Sequence, residues 1–243
     1  MRPAGTMFGR FLELAIATPD IAASVQFYER LGFVQLPTSD AWPHRYGVLS
    51  DGRIHLGLHE CAMPSPAVCF VLPELARSLA RLQAAHIEPE LARLGEEGLN
   101  ELRLRDPGGN ALLLLEARTY SPGAPTSESL CGYFSHLSLP EPDFKPARAF
   151  WELGGFVALP TLKQPYPHVP LTSDHLDLAF HRHRTFEAPL LVFECADLAR
   201  ARAALAALGA PLSRGLPRGI AAAAGVSFEA PEGTRLWILA AAG

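Results

Sequence analysis

Side chains able to carry protons or hold a metal recur at alternate positions of strands that are otherwise apolar. Arg53–His59 reads RIHLGLH, and His175–His181 reads HLDLAFH. Alternate residues of a strand face opposite sides, so Ile54, Leu56 and Leu58 share one face and His55, Gly57 and His59 the other. Leu176, Leu178 and Phe180 oppose Asp177, Ala179 and His181 in the same way. Two earlier strands repeat the split, with Leu12, Leu14 and Ile16 against Glu13, Ala15 and Ala17, and Leu137 and Leu139 against His136 and Ser138. Imidazoles and carboxylates gathered on one face can transfer protons, and two imidazoles with one carboxylate form a non-haem iron type of site. A lone carboxylate such as Glu13 in an apolar strand must be paired or hydrated, because burying an uncompensated charge is costly.

The elements carrying these residues form a unit used twice. Ala22–Phe33, AASVQFYERLGF, returns as Lys145–Phe156, KPARAFWELGGF, at an offset of 123 that also carries Asp20 onto Asp143. Such a repeat means one structural unit present in two copies. Each copy divides again. A strand at Phe11–Thr18 leads into a helix opened by Pro19-Asp20 and stopped after Arg30 by Gly32. Strands follow near Tyr46–Leu49 and Arg53–His59, and the series restarts at Val68–Leu72 with the helix LARSLARLQAAH. Strands near Leu99–Leu104 and Ala111–Leu115 flank the turn DPGGN. The second copy matches, with strands at Ser135–Leu139, 169–172, 175–181, Leu190–Cys195, Val226–Glu229 and Leu236–Ala240 and helices at 143–153 and 197–208. The expected organisation is α+β: four βαβββ modules at about 11–60, 67–117, 133–184 and 189–241, forming domains 1–118 and 133–243 around a Pro, Gly and Ser-rich linker at 119–132.

Bulk properties narrow the function. The chain has 243 residues, 49% apolar, and a scattered net charge of −4, which argues against nucleic acid and anionic membrane surfaces as partners. No apolar run approaches the roughly 20 residues that span a bilayer, and the opening MRPAGTMFGR has no export-signal pattern. Cys61, Cys69, Cys131 and Cys195 form no CxxC pair and read as reduced thiols of a cytoplasmic protein. No nucleophile elbow, phosphate loop or dinucleotide fingerprint is present.

Four such modules, LAIATPDIAASVQFYERLGF with its echo, and DPGGNALLLLE closing the first half together resemble the vicinal oxygen chelate superfamily. That superfamily includes glyoxalase I, bleomycin-resistance proteins, extradiol dioxygenases and fosfomycin-resistance enzymes. The resemblance implies two tandem domains with curved mixed sheets around cavities, and metal ligands on the first and last strands of each module. Those positions fall on Glu13 and His55 in module one and on His136 and Asp177 in module three. In modules two and four they fall on Ala67 and Leu113, and on Leu190 and Trp237, none of which can bind a metal. A catalytic divalent ion normally takes three protein ligands, so each cavity is half equipped unless His59 or His181 joins as a third.

The expectation is therefore a small-molecule-binding protein of the glyoxalase and bleomycin-resistance type, monomer or homodimer, without a complete metal site. The first-half cavity, with Glu13, His55, His59 and Arg103, is the expected site. The alternative is a glyoxalase-like lyase or dioxygenase in which Glu13, His55 and His59, or His136, Asp177 and His181, hold Zn, Ni, Mn or Fe. A metal-free variant uses Glu13 or His55 as the proton carrier. Trp42-Pro43-His44 and Tyr166-Pro167-His168 are echoed elements, able to rim a cavity through His44 and His168 or to serve as a shared turn. Glu101, Arg103 and Arg105 form a polar strand face; Arg103 inside a cavity would anchor an anionic group. Trp151 reads as core, Trp237 as a plate narrowing the second cavity, and His86 and His183 as surface residues.

Overall fold

The computed structural model describes residues 6–38, 42–95, 99–117, 129–209, 212–213 and 224–241, so most of the expected linker lies outside the described residues. Helix starts follow from local chemistry. Asp20 caps α1 (Ile21–Arg30) by accepting from the Ala23 amide at 3.1 Å, and Asp143 caps α3 (Phe144–Leu153) by accepting from the Lys145 amide at 3.0 Å. Both helices are followed by a glycine of positive φ, Gly32 at 94° and Gly155 at 89°, a conformation that a β-carbon disfavours. Asp197 caps α4 (Leu198–Ala207), whereas α2 (Leu75–Ala84) starts at Glu74 without a side-chain cap.

The first half contributes β1 (Arg10–Ala17), β2 (Val34–Leu36), β3 (Tyr46–Ser50) and β4 (His55–His59), then β5 (Ala67–Leu72), β6 (Leu91–Arg93), β7 (Glu101–Arg105) and β8 (Ala111–Glu116). The second contributes β9 (Tyr133–Pro140), β10 (Val157–Ala158), β11 (His168–Thr172) and β12 (Leu178–His181), then β13 (Leu190–Cys195), β14 (Leu212–Ser213), β15 (Gly225–Glu229) and β16 (Arg235–Ala240). Each half forms its own sheet, ordered β2-β3-β4-β1-β5-β8-β7-β6 and β10-β11-β12-β9-β13-β16-β15-β14. At each centre two first strands run antiparallel, and each pairs in parallel with the last strand of its own module. This is the expected four-module α+β architecture. The edge strands β2, β6, β10 and β14, two or three residues long, carry no alternation that a sequence reading can catch.

The expected face assignment fails at Leu12. The pairing of β1 with β5 shifts register between Phe11 and Glu13, and β9 with β13 shifts at the equivalent place, leaving Leu12 and Ser135 as bulge residues. Leu12 therefore does not join Leu14 and Ile16; it packs beside Cys69, Leu113 and Leu115 on the face that also carries Glu13. A second difference is that β12 begins at Leu178, so Asp177 sits just before the strand.

The two halves do not enclose separate cores. One cluster joins Leu14, Ile16, Leu56 and Phe70 to Leu137, Leu139, Phe180 and Phe193. Phe8 packs on Phe150 and Trp151, Phe33 on Phe193, and Phe27 on Phe228. Each fully buried side chain of this size stabilises the fold by about 1.5–3 kcal/mol, and Trp151, as expected, is wholly buried.

Polar groups set the junction between the halves. At the end of β9, Glu141 is fully buried; its Oε1 accepts from Asn110 Nδ2 at 2.9 Å, while Asn110 also reaches both oxygens of Asp106. Trp151 Nε1 donates to Asp106 Oδ2 at 3.0 Å. Burial first, then the neighbouring Asp106, pushes the Glu141 carboxyl up to about 10, so it enters the fold as a neutral acid. On the opposite side the pattern is transposed. Glu232, in the turn of the second half, accepts from Tyr28 Oη at 2.7 Å and Ser24 Oγ at 2.9 Å, with Thr18 behind them. Thr18 occupies the position that Glu141 holds one repeat later.

Candidate functional site

In the first half the polar face is closed over by its own side chains. Glu13 Oε2 accepts from Tyr46 Oη at 2.6 Å, and Oε1 lies 3.4 Å from His59 Nε2. His59 Nδ1 lies 3.0 Å from His44 Nε2, which in turn approaches Cys61 Sγ at 3.6 Å. Trp42 covers this chain, its ring meeting His59 edge-on at 4.8 Å and lying near Tyr46 and His44. Glu13 and His59 are consequently 1% and 0% exposed. The expected pairing of Glu13 is thus met by Tyr46 and His59, and His44 lies within the chain.

The remaining first-half candidates divide. His55 is half-buried, its Nε2 has no hydrogen-bond partner, and burial holds its pKa below the usual histidine value. Arg103 turns its guanidinium to Glu101 at 3.2 Å, and Arg93 approaches the same Glu101 oxygen at 3.3 Å. Glu101 is 1% exposed, so the polar face of β7 is not simply solvated, and the charge of Arg103 already has a counter-ion. His86 and His183 are exposed.

Both halves keep open space: in the first, a cavity of about 750 Å³ is lined by Ile21, Val25, Trp42, His44 and Tyr46 but not by Glu13, His55 or His59, and the second keeps another. A cavity of about 600 Å³ is lined by Ser135, His136, His168, Asp177 and Glu194, with Leu159, Leu162, Leu171 and Leu239 among its apolar walls. His136 stacks on His168, with centroids 5.7 Å apart and planes 13° apart. Tyr166 Oη lies 2.9 Å from His136 Nε2 and donates to Ser138 Oγ at 2.9 Å. Ser138 meets His181 Nδ1 at 2.8 Å, and His181 Nε2 reaches the Phe186 carbonyl at 3.2 Å. On the cavity side, Ser135 Oγ lies 3.1 Å from His136 Nδ1 and donates to Glu194 Oε1 at 2.9 Å. The bulge brings Ser135 and His136 to one face, a placement that strict alternation hides. Trp237 is wholly buried and packs on Tyr166 and Phe186, filling the inner end as expected of a large apolar plate. Tyr166 and Trp42 act as plugs rather than loose rims, and His168 alone of the two echoed histidines lines this cavity.

Burial holds both inner imidazoles neutral, lowering His136 to about 3 and His181 to about 4. Neither ring should titrate between pH 8 and 5. NMR of ring carbons checks this: the expected spectrum has the His136 and His181 signals static across that range.

A resident metal does not fit the donors. In the first half both Glu13 oxygens and both His59 nitrogens are engaged with one another, Tyr46 and His44, leaving His55 Nε2 as one open donor. In the second, His136 Nε2 and both nitrogens of His181 have partners, and Ser135 Oγ stands 3.1 Å from His136 Nδ1. Across the central strands, Glu13 pairs with Cys69 and His136 with Val192; Cys69 is held as a thiol, well above its usual pKa, by burial and then Glu13. Among the described residues no three His, Cys, Asp or Glu groups converge as ligands.

No family model matches the chain, and no curated protein matches it in sequence. Solved structures do. Catechol 2,3-dioxygenase superposes at 17% identity with TM-score 0.59, covering 98% of this chain and 89% of that one. A homoprotocatechuate 2,3-dioxygenase variant from Brevibacterium fuscum gives 18% identity and TM-score 0.65, covering 98% and 74%. The 2,3-dioxygenase LapB from Pseudomonas sp. KL28 gives 17% and 0.63, covering 98% and 94%. The likeness shows that the chain shares the fold of these dioxygenases. No helix of the described residues is long and apolar enough to cross a membrane.

Proposed function

We propose that this protein binds a small organic molecule in the second-half cavity and does so without a resident metal ion. The observation that carries the reading is the open space of about 600 Å³ between His136, Asp177, Glu194 and a wall of leucines. Pockets of this volume, mostly apolar with a few converging polar groups, are the usual form of a ligand site. The sequence favours the first half; there Glu13 and His59 are spent on each other beneath Trp42 and the first-half cavity reaches neither, whereas the second-half cavity is lined by His136, His168 and Asp177 themselves. Thermal-shift screening of a small-molecule library tests it, since a ligand specific to the native state raises the melting temperature. Leu162 is 49% exposed at the mouth of the cavity. The variant Leu162→Trp is expected to keep the fold and abolish the shift; hits unaffected by it would contradict the proposal.

A second reading, a divalent-metal dioxygenase or lyase, is favoured by the shared fold. It would require Glu13 and His59, or His136 and His181, to abandon their present partners for an ion beside His55 or Asp177. Metal analysis of untagged protein separates the two: the first reading expects less than about one ion per ten chains, whereas a near-stoichiometric metal lost in Glu13→Ala or His136→Ala supports the second.

A further inference from the structure

The hydrogen bonds around His136 form a line with an accepting group at each end. At the inner end the Phe186 carbonyl can only accept, so His181 Nε2 carries the hydrogen of that link. The other nitrogen of a neutral His181 must then accept from Ser138, and Ser138 accepts from Tyr166. The Tyr166 hydrogen being used, its oxygen accepts from His136 Nε2, which leaves His136 Nδ1 bare. At the outer end stands the Glu194 carboxylate. Between these two acceptors is Ser135, whose hydroxyl lies 3.1 Å from one and 2.9 Å from the other and has one hydrogen to give. Low histidine pKa values keep a further proton from settling on the rings. Whichever acceptor Ser135 serves, the other is left for a donor arriving from the cavity.

The rest of the lining points the same way. His168 Nδ1 gives its hydrogen to the Tyr166 carbonyl at 2.8 Å, which leaves Nε2 to accept. Asp177 supplies a second carboxylate, and no lysine or arginine stands among the described residues of the wall. An anionic ligand would meet two like charges with nothing to offset them, whereas a cation is attracted by both. Resting on the cavity being the ligand site, we infer that its occupant is an organic cation: a protonated amine or similar N–H donor on an apolar body. Its N–H group takes Glu194, which frees the Ser135 hydroxyl to turn to His136, and its hydrocarbon lies along Leu159, Leu171 and Leu239.

Calorimetry with three probes of one size tests the charge preference: 2-phenylethylamine, 2-phenylethanol and 3-phenylpropionate at pH 7. The amine is expected to bind at least about tenfold more tightly than the alcohol, with no binding of the carboxylate. Glu194→Gln should cost the amine about tenfold and the alcohol, which carries no charge, distinctly less. Asp177→Asn, at an exposed position that the fold tolerates, should weaken the amine in the same direction. Equal or tighter binding of 3-phenylpropionate, or amine affinity unchanged in both variants, overturns the inference. If no probe binds while the screen yields neutral or acidic hits blocked by Leu162→Trp, the cation preference falls and the cavity reading stands. If the screen is also empty, both fall.

Discussion

Gly108→Ala lowers the melting temperature by about 5–8 °C, corresponding to roughly 2–3 kcal/mol for a chain of this size. A β-carbon at Gly108 would lie 2.5 Å from Glu141 Oε2 and 2.6 Å from its Cδ. The carboxyl has nowhere to go, because it is wholly buried and its other oxygen is held by Asn110. The backbone at Gly108 does not need the left-handed region, unlike that of Gly109 at φ 86°, so the cost is purely one of space. A double-mutant cycle isolates the contact: in a Glu141→Ala background the same substitution should cost less than about 1 kcal/mol. An unchanged penalty in that background would show that Gly108 is needed for the turn and not for its neighbour across the junction. The position equivalent to Gly108 in the second half is Glu232, where Tyr28 and Ser24 supply donors and Thr18 takes the place of Glu141. One side of the junction carries its acid on the strand and leaves room in the turn; the other does the reverse.

Glu141→Gln stabilises the protein at neutral and alkaline pH. The folded carboxyl is raised far above its usual value, so folding takes up a proton that the unfolded chain at pH 7 has lost. The contribution of Glu141 is complete below about pH 4.5, falls as pH rises from there, and stops changing once the folded group itself ionises. The slope is at most about 1.4 kcal/mol per pH unit, which makes about 3 kcal/mol at pH 7. Glutamine has the shape and hydrogen-bonding capacity of the neutral acid without this linkage. Chemical denaturation at pH 5, 7 and 9 should show wild type losing stability steadily relative to the variant, with the two converging toward pH 4.5. Parallel curves would mean that the carboxyl enters the fold ionised.

Much of the architecture is legible in the sequence. The offset repeat of Ala22–Phe33, the capping residues Asp20 and Asp143 and the stops at Gly32 and Gly155 are local signals, and local hydrogen bonding decides them. The faces of β4 and β12 follow from alternation alone. Alternation misplaces Leu12, because a bulge is a property of the pairing between two strands and leaves no mark within either one. The members of the site show the same division. Glu13, His55, His59, His136 and His181 could be placed on their faces from spacing. Tyr46, Ser135, Tyr166 and Glu194 could not, since each becomes a partner only when distant strands register. Which polar face keeps a cavity was also beyond the sequence: Trp42 and Tyr166 stand in echoed elements, yet Trp42 covers the buried Glu13–His59 chain, while Tyr166 backs a space lined by His136 and His168.

A crystal structure of the untagged protein soaked with the strongest hit from the library screen tests the central claim most directly. Ligand density between His136, Glu194 and Leu239, with a donor atom within hydrogen-bonding distance of the Glu194 carboxylate, is the expected result. Density beneath Trp42 in the first half, or a cation gripped by Glu13, His55 and His59, would contradict the account.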